Sequence, residues 1–331
     1  MMVTVIGGSG FIGTRLVRLL KREGLGIKII DKVPSHLFPE DTVVADIRDY
    51  NRLLDVLPHC DAVVNLAAEH RDDVTPRSLY NEVNIQGADN LVRACEAKGI
   101  TTIVFTSSVA VYGFAPPGTG EDGEINYFND YGRTKWEAEK IYRSWYEKDP
   151  SHRTLVIIRP TVVFGEDNRG NVYNLLRQIA SGMFPMVGPG TNLKSMAYVE
   201  NVAAFLLHML RSAKGYQLYN YVDKPDFTMN ELVMLVKRTL GRKPSTGIHW
   251  PIWLGYAGGG LFDMIAALTG KKLPVSRIRV RKFCATTQFA TRAFETTGFK
   301  PPVPIETGLQ RTIEYEFLNK PTSGGKLFYT E

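Results

Sequence analysis

The chain has few cysteines, and they lack the spacing that a metal site or a disulfide framework requires. Its three cysteines, Cys60, Cys95 and Cys284, lie far apart among 331 residues. Small secreted domains that depend on disulfides are dense in cysteine, so this usage indicates a protein of the reducing cytosol. His70 has no ligand partner in the sequence, and we therefore expect no metal.

The sequence also lacks a signal peptide and a nucleic-acid-binding motif. An apolar run follows Met1 directly, so we expect a cytoplasmic protein. The net charge of +6 is modest. It either helps the protein to approach phosphate-bearing ligands or an anionic membrane surface, or it is an ordinary basic surface. Because no motif accompanies this charge, we expect no nucleic-acid partner.

A clear membrane-spanning segment is missing as well. The most hydrophobic stretch, residues 248–273, has nearly the length of a span, but Pro251, three glycines at 258–260 and Asp263 interrupt it. Tryptophans at one end and a basic run beyond the other are typical of an element that lies on a membrane surface. Residues 248–282 therefore form either a peripheral contact with the inner face of the cell membrane, or a buried lobe helix or dimer contact.

An apolar run rich in β-branched residues breaks into regularly spaced glycines near the start of the chain. Residues 3–6 predict a buried parallel strand, the glycines a tight turn, and the residues from Thr14 a helix. The first glycine permits the turn, the second lets backbone N–H groups approach a pyrophosphate, and the third lets the helix pack closely on its strand. The pattern predicts a dinucleotide site built on Gly7, Gly10 and Gly13.

An acidic residue at the end of the next predicted strand bears on the choice of dinucleotide. Asp31 lies about 20 residues beyond the glycines, where a carboxylate accepts hydrogen bonds from ribose hydroxyls and repels a 2′-phosphate. This position favours NAD over NADP as the cofactor. Lys32 and Arg15 leave NADP open.

Strand and helix patterns alternate through the first half of the chain, as in a doubly wound parallel sheet. The predicted class is α/β, a Rossmann-type doubly wound parallel sheet with a smaller C-terminal substrate-binding lobe. Residues 1–165 are assigned to the NAD-binding domain, to which 195–225 return, and 166–194 and 226–331 are assigned to the lobe. The predicted elements are a helix near 14–23, strands 27–31 and 42–45, a helix 49–56, a strand 61–66 and helices 77–98 and 131–146.

Polar residues follow the predicted strands at the carboxyl edge, where ligands bind such sheets. Asp46, which precedes Ile47, either accepts from the adenine amino group or caps the next helix. Small residues at the end of the fourth strand let the backbone pass close to a cofactor. Glu69 either contacts substrate or belongs to a solvated turn. Asn84 either orients the catalytic helix or caps a neighbouring one.

Tyr131 and Lys135 stand four residues apart in a predicted helix, so they share one face. A lysine ammonium beside a tyrosine, together with a positive nicotinamide ring, stabilises the phenolate, which then acts as a base near neutral pH. Ser108, at the end of the fifth predicted strand, is placed to hold the substrate oxygen and share the proton. Ser107, one residue away, is an alternative for that role. We predict that Ser108, Tyr131 and Lys135 are catalytic.

With these motifs in order, the chain resembles the extended short-chain dehydrogenase/reductase superfamily, in its nucleotide-sugar epimerase/dehydratase branch. The resemblance implies NAD as cofactor, a serine, tyrosine and lysine as catalytic residues, and a homodimer formed through helices near 77–98 and 128–146. The motifs that carry it are the glycine turn, Asn65 to Ala68, Thr106 to Ser108, Val111 to Gly113, Tyr131 to Lys135 and Arg159 to Gly165. The expected cofactor-binding residues are Gly7, Gly10, Phe11, Ile12, Gly13, Asp31, Asp46, Ile47, Leu66, Ala67, Ala68, Tyr131 and Lys135.

Four longer runs resemble the bacterial 4-epimerases that act on N-acetylglucosaminyl-diphospho-undecaprenol. These runs are residues 68–74, 168–176, 194–199 and 282–289. The resemblance implies that the substrate is an N-acetylhexosamine linked to undecaprenol through a diphosphate. It also implies that the GlcNAc and GalNAc forms are interconverted through a 4-keto intermediate. It places the reaction in the synthesis of O-antigen lipopolysaccharide.

Basic residues near the lobe junction are candidates for binding the diphosphate. The candidate substrate residues are Glu69, Ser107, Arg169, Lys194 and Arg281. Many UDP-sugar 4-epimerases carry an Arg-Arg-x-Gly-Asp run late in the chain, whereas this chain has Arg-Ile-Arg-Val-Arg-Lys-Phe there. Two other activities stay open, a UDP-GlcNAc/UDP-GalNAc 4-epimerase and an NAD(P)-dependent nucleotide-sugar 4-ketoreductase.

Overall fold

Twelve strands build three sheets in the described part of the computed structural model, which comprises residues 1–71, 74–182, 184–258, 260, 277–319 and 326–330. The strands are, in chain order, β1 (Met2–Ile6), β2 (Gly26–Asp31), β3 (Thr42–Val44), β4 (Ala62–Asn65), β5 (Thr102–Thr106), β6 (Thr154–Pro160), β7 (Val162–Phe164), β8 (Met186–Val187), β9 (Leu193–Tyr198), β10 (Tyr216–Tyr221), β11 (Asp223–Thr228) and β12 (His249–Trp250).

The largest sheet has seven strands in the order β10-β6-β5-β4-β1-β2-β3, and every neighbouring pair is parallel. The chain leaves β1 toward β2 and β3 on one side, and later continues from β4 on the other side. This reversal places a crevice at the carboxyl end of β1, where doubly wound sheets bind their ligands. The predicted α/β fold with a doubly wound parallel sheet is confirmed.

The helices cover both faces of this sheet and form much of the second lobe. They are α1 (Phe11–Arg22), α2 (Tyr50–Val56), α3 (Ser78–Tyr80), α4 (Gly87–Lys98), α5 (Asp130–Glu147), α6 (Asn171–Ala180), α7 (Val199–Ser212), α8 (Met229–Thr239), α9 (Arg277–Cys284), α10 (Ala293–Thr297) and α11 (Ile305–Phe317). A π-helical turn, Asn81–Gln86, joins α3 to α4. Helix α1 starts at Phe11, earlier than the predicted Thr14, because Gly10 is its N-cap.

Two apolar layers enclose the large sheet. On one face, Leu16 and Leu20 of α1 pack with Phe205 and Leu206 of α7, all fully buried. On the other face, residues of α2, α4 and α5 pack together against the strands. Each fully buried side chain of this size contributes about 1.5–3 kcal/mol relative to exposure. These layers hold the carboxyl edge of the sheet in place.

A second sheet has the order β11-β9-β7, with one antiparallel and one parallel pair, and helices α6, α8 and α11 pack against it. Helix α7 packs on α1, and β10 pairs with β6, so the chain between 199 and 221 lies against the large sheet. Of the hydrophobic stretch 248–273, the structure describes β12 and a helix at 252–258, while 261–276 lie outside the described residues. No helix among the described residues is long and apolar enough to cross a membrane.

Candidate active site

The glycine turn between β1 and α1 leaves no room for side chains. Gly7 has φ +76°, and a Cβ there would lie 2.7 Å from the backbone nitrogen of Ala67. A Cβ on Gly13 would lie 2.6 Å from the carbonyl oxygen of Gly7. Gly10 caps α1 without a side chain, and no acidic residue occupies the first turn of the helix. The N-cap of α1 therefore brings no side chain over the first N–H groups of the helix, and the cradle fits the pyrophosphate of a dinucleotide.

Asp31 ends β2 beside this turn. Its Oδ2 accepts from the backbone N–H of Ser9 at 3.0 Å, and its Oδ1 accepts from that of Val33 at 3.2 Å. Each carboxylate oxygen has two lone pairs, so both oxygens keep capacity to accept from ribose hydroxyls. The arrangement suits the adenosine ribose of NAD.

Asp46 and Ile47 lie at the carboxyl end of the next strand. The Asp46 carboxylate accepts from the Arg48 guanidinium, with 2.8 Å between Oδ2 and Nη2, and this hydrogen bond lowers the pKa of Asp46. Helix α2 is capped instead by Asp49, which accepts from the Arg52 N–H at 3.0 Å. The alternative in which Asp46 caps this helix is therefore wrong. Ile47 is buried against α4.

Residues after β4 are tied to the catalytic helix through Asn84. The Asn84 side chain exchanges hydrogen bonds with the backbone of Glu69, at 2.8 and 2.9 Å, and donates to the Thr134 hydroxyl of α5 at 2.9 Å. It lies in the π-helical turn, a feature that is frequent at functional sites. Asn84 thus joins the residues after β4 to α5, and its role in orienting that helix stays a prediction. Leu66, Ala67 and Ala68 lie just before Glu69, beside the glycine turn.

Tyr131 and Lys135 lie in the first turns of α5, whose N-cap Asn129 accepts from the Gly132 N–H at 2.9 Å. Lys135 Nζ lies 5.9 Å from the centre of the Tyr131 ring and donates to the carbonyl oxygen of Thr106 at 2.7 Å. Burial lowers the pKa of Lys135 to about 7, and the negative charge of Glu139 opposes that shift. An anionic phenolate at Tyr131 would favour the protonated form of Lys135.

The two serines after β5 have different partners. Ser108 is half-buried, and its Oγ accepts from the Ala110 N–H at 3.1 Å, which leaves its own O–H to donate. Ser107 is 2% exposed and donates to Glu139 Oε1 at 2.5 Å. The hydroxyl of Ser108 is therefore the one open to a substrate, whereas that of Ser107 belongs to a buried network.

That network adjoins Ser107 and Lys135 and was not found from the sequence. The Arg159 guanidinium pairs with the Glu139 carboxylate, with 2.5 Å between Nη2 and Oε2, and both side chains are almost completely buried. Arg159 also donates to the Tyr112 hydroxyl at 2.6 Å, and that hydroxyl donates to Asn220 Oδ1 at 2.9 Å. The available signal was an acid four residues after Lys135, on the same helical face.

The basic candidates for substrate binding lie in two separate places. Arg169 pairs with Glu316 at 2.9 Å and lies over the Tyr173 ring, so its charge has a partner within the protein. Lys194 donates to the carbonyl oxygen of Ala285 at 2.6 Å, and burial lowers its pKa to about 8. Arg281 of α9 lies 4.6 Å from the centre of the Phe114 ring, in the loop that follows β5. Lys194 thus lies near the end of α9, the helix that contains Arg281, whereas Arg169 lies beside Glu316 of α11.

Comparison with known proteins agrees with this geometry. A curated protein of Escherichia coli O157:H7, N-acetyl-alpha-D-glucosaminyl-diphospho-ditrans,octacis-undecaprenol 4-epimerase, is 52% identical over 319 residues, which cover 96% of each chain. A UDP-glucose 4-epimerase of Vibrio cholerae is 28% identical, with 94% of each chain covered. The solved structure of MoeE5 in complex with UDP-glucuronic acid and NAD has a TM-score of 0.73 at 23% identity, and the match covers 95% of this chain and 98% of that one.

The family model named NAD dependent epimerase/dehydratase family matches residues 3–221, from β1 to the end of β10. This range contains the glycine turn, Ser108, Tyr131 and Lys135. The resemblance predicted from the motifs is confirmed, and so is NAD as the cofactor. The chain belongs to the NAD dependent epimerase/dehydratase family.

Proposed function

We propose that this protein is an NAD-dependent 4-epimerase that interconverts GlcNAc-diphospho-undecaprenol and GalNAc-diphospho-undecaprenol. The observation that carries the proposal is the placement of Ser108, Tyr131 and Lys135 at the carboxyl edge of the sheet, beside a turn shaped for a dinucleotide. The identity of 52% over almost the whole chain to the E. coli enzyme supports the choice of reaction and substrate.

Tyr131 is the residue that moves the proton. NAD held at the glycine turn and Asp31 would supply hydride transfer from C4 of the sugar and its return to the other face of the 4-keto sugar. The Tyr131 phenolate takes the proton from the sugar 4-hydroxyl and gives it back when the hydride returns. The Ser108 hydroxyl donates to the same oxygen and holds it near the phenol. No net redox change occurs over the complete cycle.

Lys135 supplies charge and position. Its hydrogen bond to the Thr106 carbonyl holds the ammonium at the end of β5, on the face of α5 that carries Tyr131. A cation there lowers the free energy of the phenolate. The buried Glu139 carboxylate keeps that cation favourable in an otherwise apolar site.

A path for a lipid-linked substrate leads away from this site along the second lobe. Arg281 lies against Phe114, whose ring centre lies 4.8 Å from that of Phe128, immediately before the N-cap of α5. Helix α9 therefore lies at the mouth of the active site. Arg281 of this helix is a candidate to bind a diphosphate, without a contact that requires uridine.

An exposed group of apolar side chains, here called the apolar patch, lies next to α9. A Cβ on Gly255 would lie 3.2 Å from Val280 of α9, and the Arg277 guanidinium lies 5.8 Å from the Tyr256 ring. The patch consists of Ile248, Trp250, Ile252, Trp253 and Leu254, with exposed fractions of 79, 51, 42, 67 and 38%. We propose that this patch contacts the membrane or the undecaprenyl chain, because aromatic side chains beside basic ones suit the interface.

A UDP-GlcNAc/UDP-GalNAc 4-epimerase is the second candidate, and the 28% identity to the V. cholerae UDP-glucose 4-epimerase supports a UDP-linked sugar. The chemistry is the same, and only the group attached to the sugar differs. The homodimer through 77–98 and 128–146, the division into domains and the peripheral membrane location stay predictions.

The test is to incubate the purified protein with GlcNAc-diphospho-undecaprenol and with UDP-GlcNAc in parallel, while NADH is followed. We expect conversion of the lipid-linked sugar to its GalNAc form without net formation or consumption of NADH. Preferential turnover of UDP-GlcNAc would favour the second candidate. Formation of one NADH for each 4-keto sugar released would instead identify a ketoreductase running in reverse and contradict both epimerase proposals.

A further inference from the structure

The C-terminal residues 326–330, here called the C-terminal strap, are bonded to the loop that follows β7. The N–H of Phe328 donates to the carbonyl oxygen of Asp167 at 2.9 Å, and its carbonyl accepts from the Arg169 N–H at 2.7 Å. The Thr330 hydroxyl donates to the Asn168 side chain at 2.7 Å. Three hydrogen bonds thus fix the strap on this side.

The opposite side of the strap contacts the glycine turn and the start of α1. Lys326 Nζ donates to the carbonyl oxygen of Ser9 at 3.4 Å. The Phe328 ring lies 5.8 Å from the ring of Phe11, and the Arg15 guanidinium lies over both rings. Because Phe11 is the first residue of α1, the strap reaches the helix terminus at which a dinucleotide pyrophosphate binds in this fold.

Two side chains beside the strap and the turn differ in whether their polar atoms have partners. The Nε2 atom of His70, after β4, is buried and makes no hydrogen bond to the residues that the structure describes. Arg15 is the first basic residue of α1, but its guanidinium donates to the carbonyl oxygen of Glu166 and packs between aromatic rings. Lys326 therefore brings a second cation to the turn, from a part of the chain distant in sequence.

We infer that the C-terminal strap closes over bound NAD and that Lys326 contacts its pyrophosphate. The role that we assign to the strap rests on the proposed function, because an epimerase must return the hydride to the sugar from which it came. A cofactor that left between the two half-reactions would strand the keto sugar. Slow dissociation is thus a requirement of the reaction, and a strap across the cleft supplies it.

The test is the dissociation rate constant of the cofactor from Lys326→Gln, measured by chasing bound NADH with excess NAD and following NADH fluorescence. We expect the rate constant to rise about ten-fold, the scale of one charge-assisted hydrogen bond, and the rise to shrink at high salt. Lys214→Gln, at an exposed lysine remote from the turn, should dissociate like the unaltered protein. No sugar is present, so this readout does not depend on which substrate the enzyme uses.

Phe328→Ala is the second variant, and it should also lose NAD more readily during gel filtration. Lys326→Gln alters only a partly exposed side chain, so its result stands even where Phe328→Ala fails to fold. Unchanged dissociation in Lys326→Gln would overturn the contact with the pyrophosphate. Tighter NAD binding in either variant would overturn the whole inference, because the strap would then compete with the cofactor for the cleft.

Discussion

The ammonium group of Lys135 donates to the carbonyl oxygen of Thr106 across 2.7 Å. The lysine is 2% exposed, so this hydrogen bond forms inside the protein, where a lost partner is costly. It joins α5 to the end of β5, the strand that leads into Ser108. The bond therefore fixes the helix that carries Tyr131 relative to Ser108, the serine that we propose holds the substrate.

Tyr131→Phe should abolish most of the epimerase activity. The substitution removes the hydroxyl that accepts and returns the proton, and general acid–base groups contribute about 10²–10⁴-fold to rate. Activity is measured with the lipid-linked sugar, and NAD content is measured on the same preparation. Loss of activity with normal NAD content is expected, whereas a variant that keeps most of its rate would exclude Tyr131 as the base.

The stability of the protein should depend on the protonation of Lys135. Burial lowers the pKa of Lys135 to about 7, while the pKa of a lysine in an unfolded chain is about 10.4. Between these values the unfolded state binds more protons than the folded state, so the free energy of unfolding should rise as pH rises from about 7 to 10.

The Lys135→Met variant removes the titrating group and tests this expectation. Chemical unfolding of the unaltered and variant proteins at several pH values within that window should show a smaller increase for the variant. Identical pH dependence in the two proteins would contradict the lowered pKa of Lys135.

Glu139→Gln should destabilise the fold strongly. The variant leaves the Arg159 charge buried without its carboxylate, and breaking such a pair costs about 3–5 kcal/mol. Glu137→Gln, on the same helix, removes the acid of a largely exposed pair with Lys140 and should change the free energy of unfolding by at most about 1 kcal/mol. Equal effects of the two substitutions in urea unfolding would rule out a special role for the buried pair.

Gly13→Ala should weaken cofactor binding and lower stability. The added Cβ would lie 2.6 Å from both the Gly7 carbonyl oxygen and the Gly8 Cα, so backbone atoms of the turn must move. Gly120→Ala is the matched control, since a Cβ there meets nothing within 4 Å. We expect an affinity for NAD lower by about ten-fold or more for the first variant, equivalent to about 1.4 kcal/mol, and no change for the second. Normal NAD titration of Gly13→Ala would contradict the close packing of α1 on the turn.

Trp250→Ser combined with Trp253→Ser should reduce binding to vesicles of anionic lipid by about ten-fold or more, because the apolar patch loses its aromatic side chains. Leu37→Ser combined with Val44→Ser removes exposed apolar side chains from the large domain and serves as the control. Cosedimentation with vesicles measures the lipid binding of the two double variants. If the tryptophan variant sediments like the unaltered protein, the patch does not bind membranes.

The local patterns of the sequence were sufficient to predict the central fold. Gly7, Gly10 and Gly13 lie between a short apolar strand and a helix. Their spacing indicates a tight turn whose backbone atoms lie too close together for side chains at these positions. Tyr131 and Lys135 were likewise predictable, because four residues in a helix place two side chains on one face whatever the rest of the chain does. Such features depend on neighbours in sequence, and the sequence contains them completely.

Contacts between distant segments were decided only by the tertiary structure. The pairing of Glu139 with Arg159 selects Ser108 over Ser107 as the open hydroxyl, and nothing local distinguishes the two serines. The partner of Arg169 is Glu316, and Lys326 reaches the glycine turn from the end of the chain. The sequence by itself determined which residue types can do the chemistry. The three-dimensional packing decided which of their charges are already satisfied within the protein and which remain for a ligand, because burial and partner geometry arise only when distant segments meet.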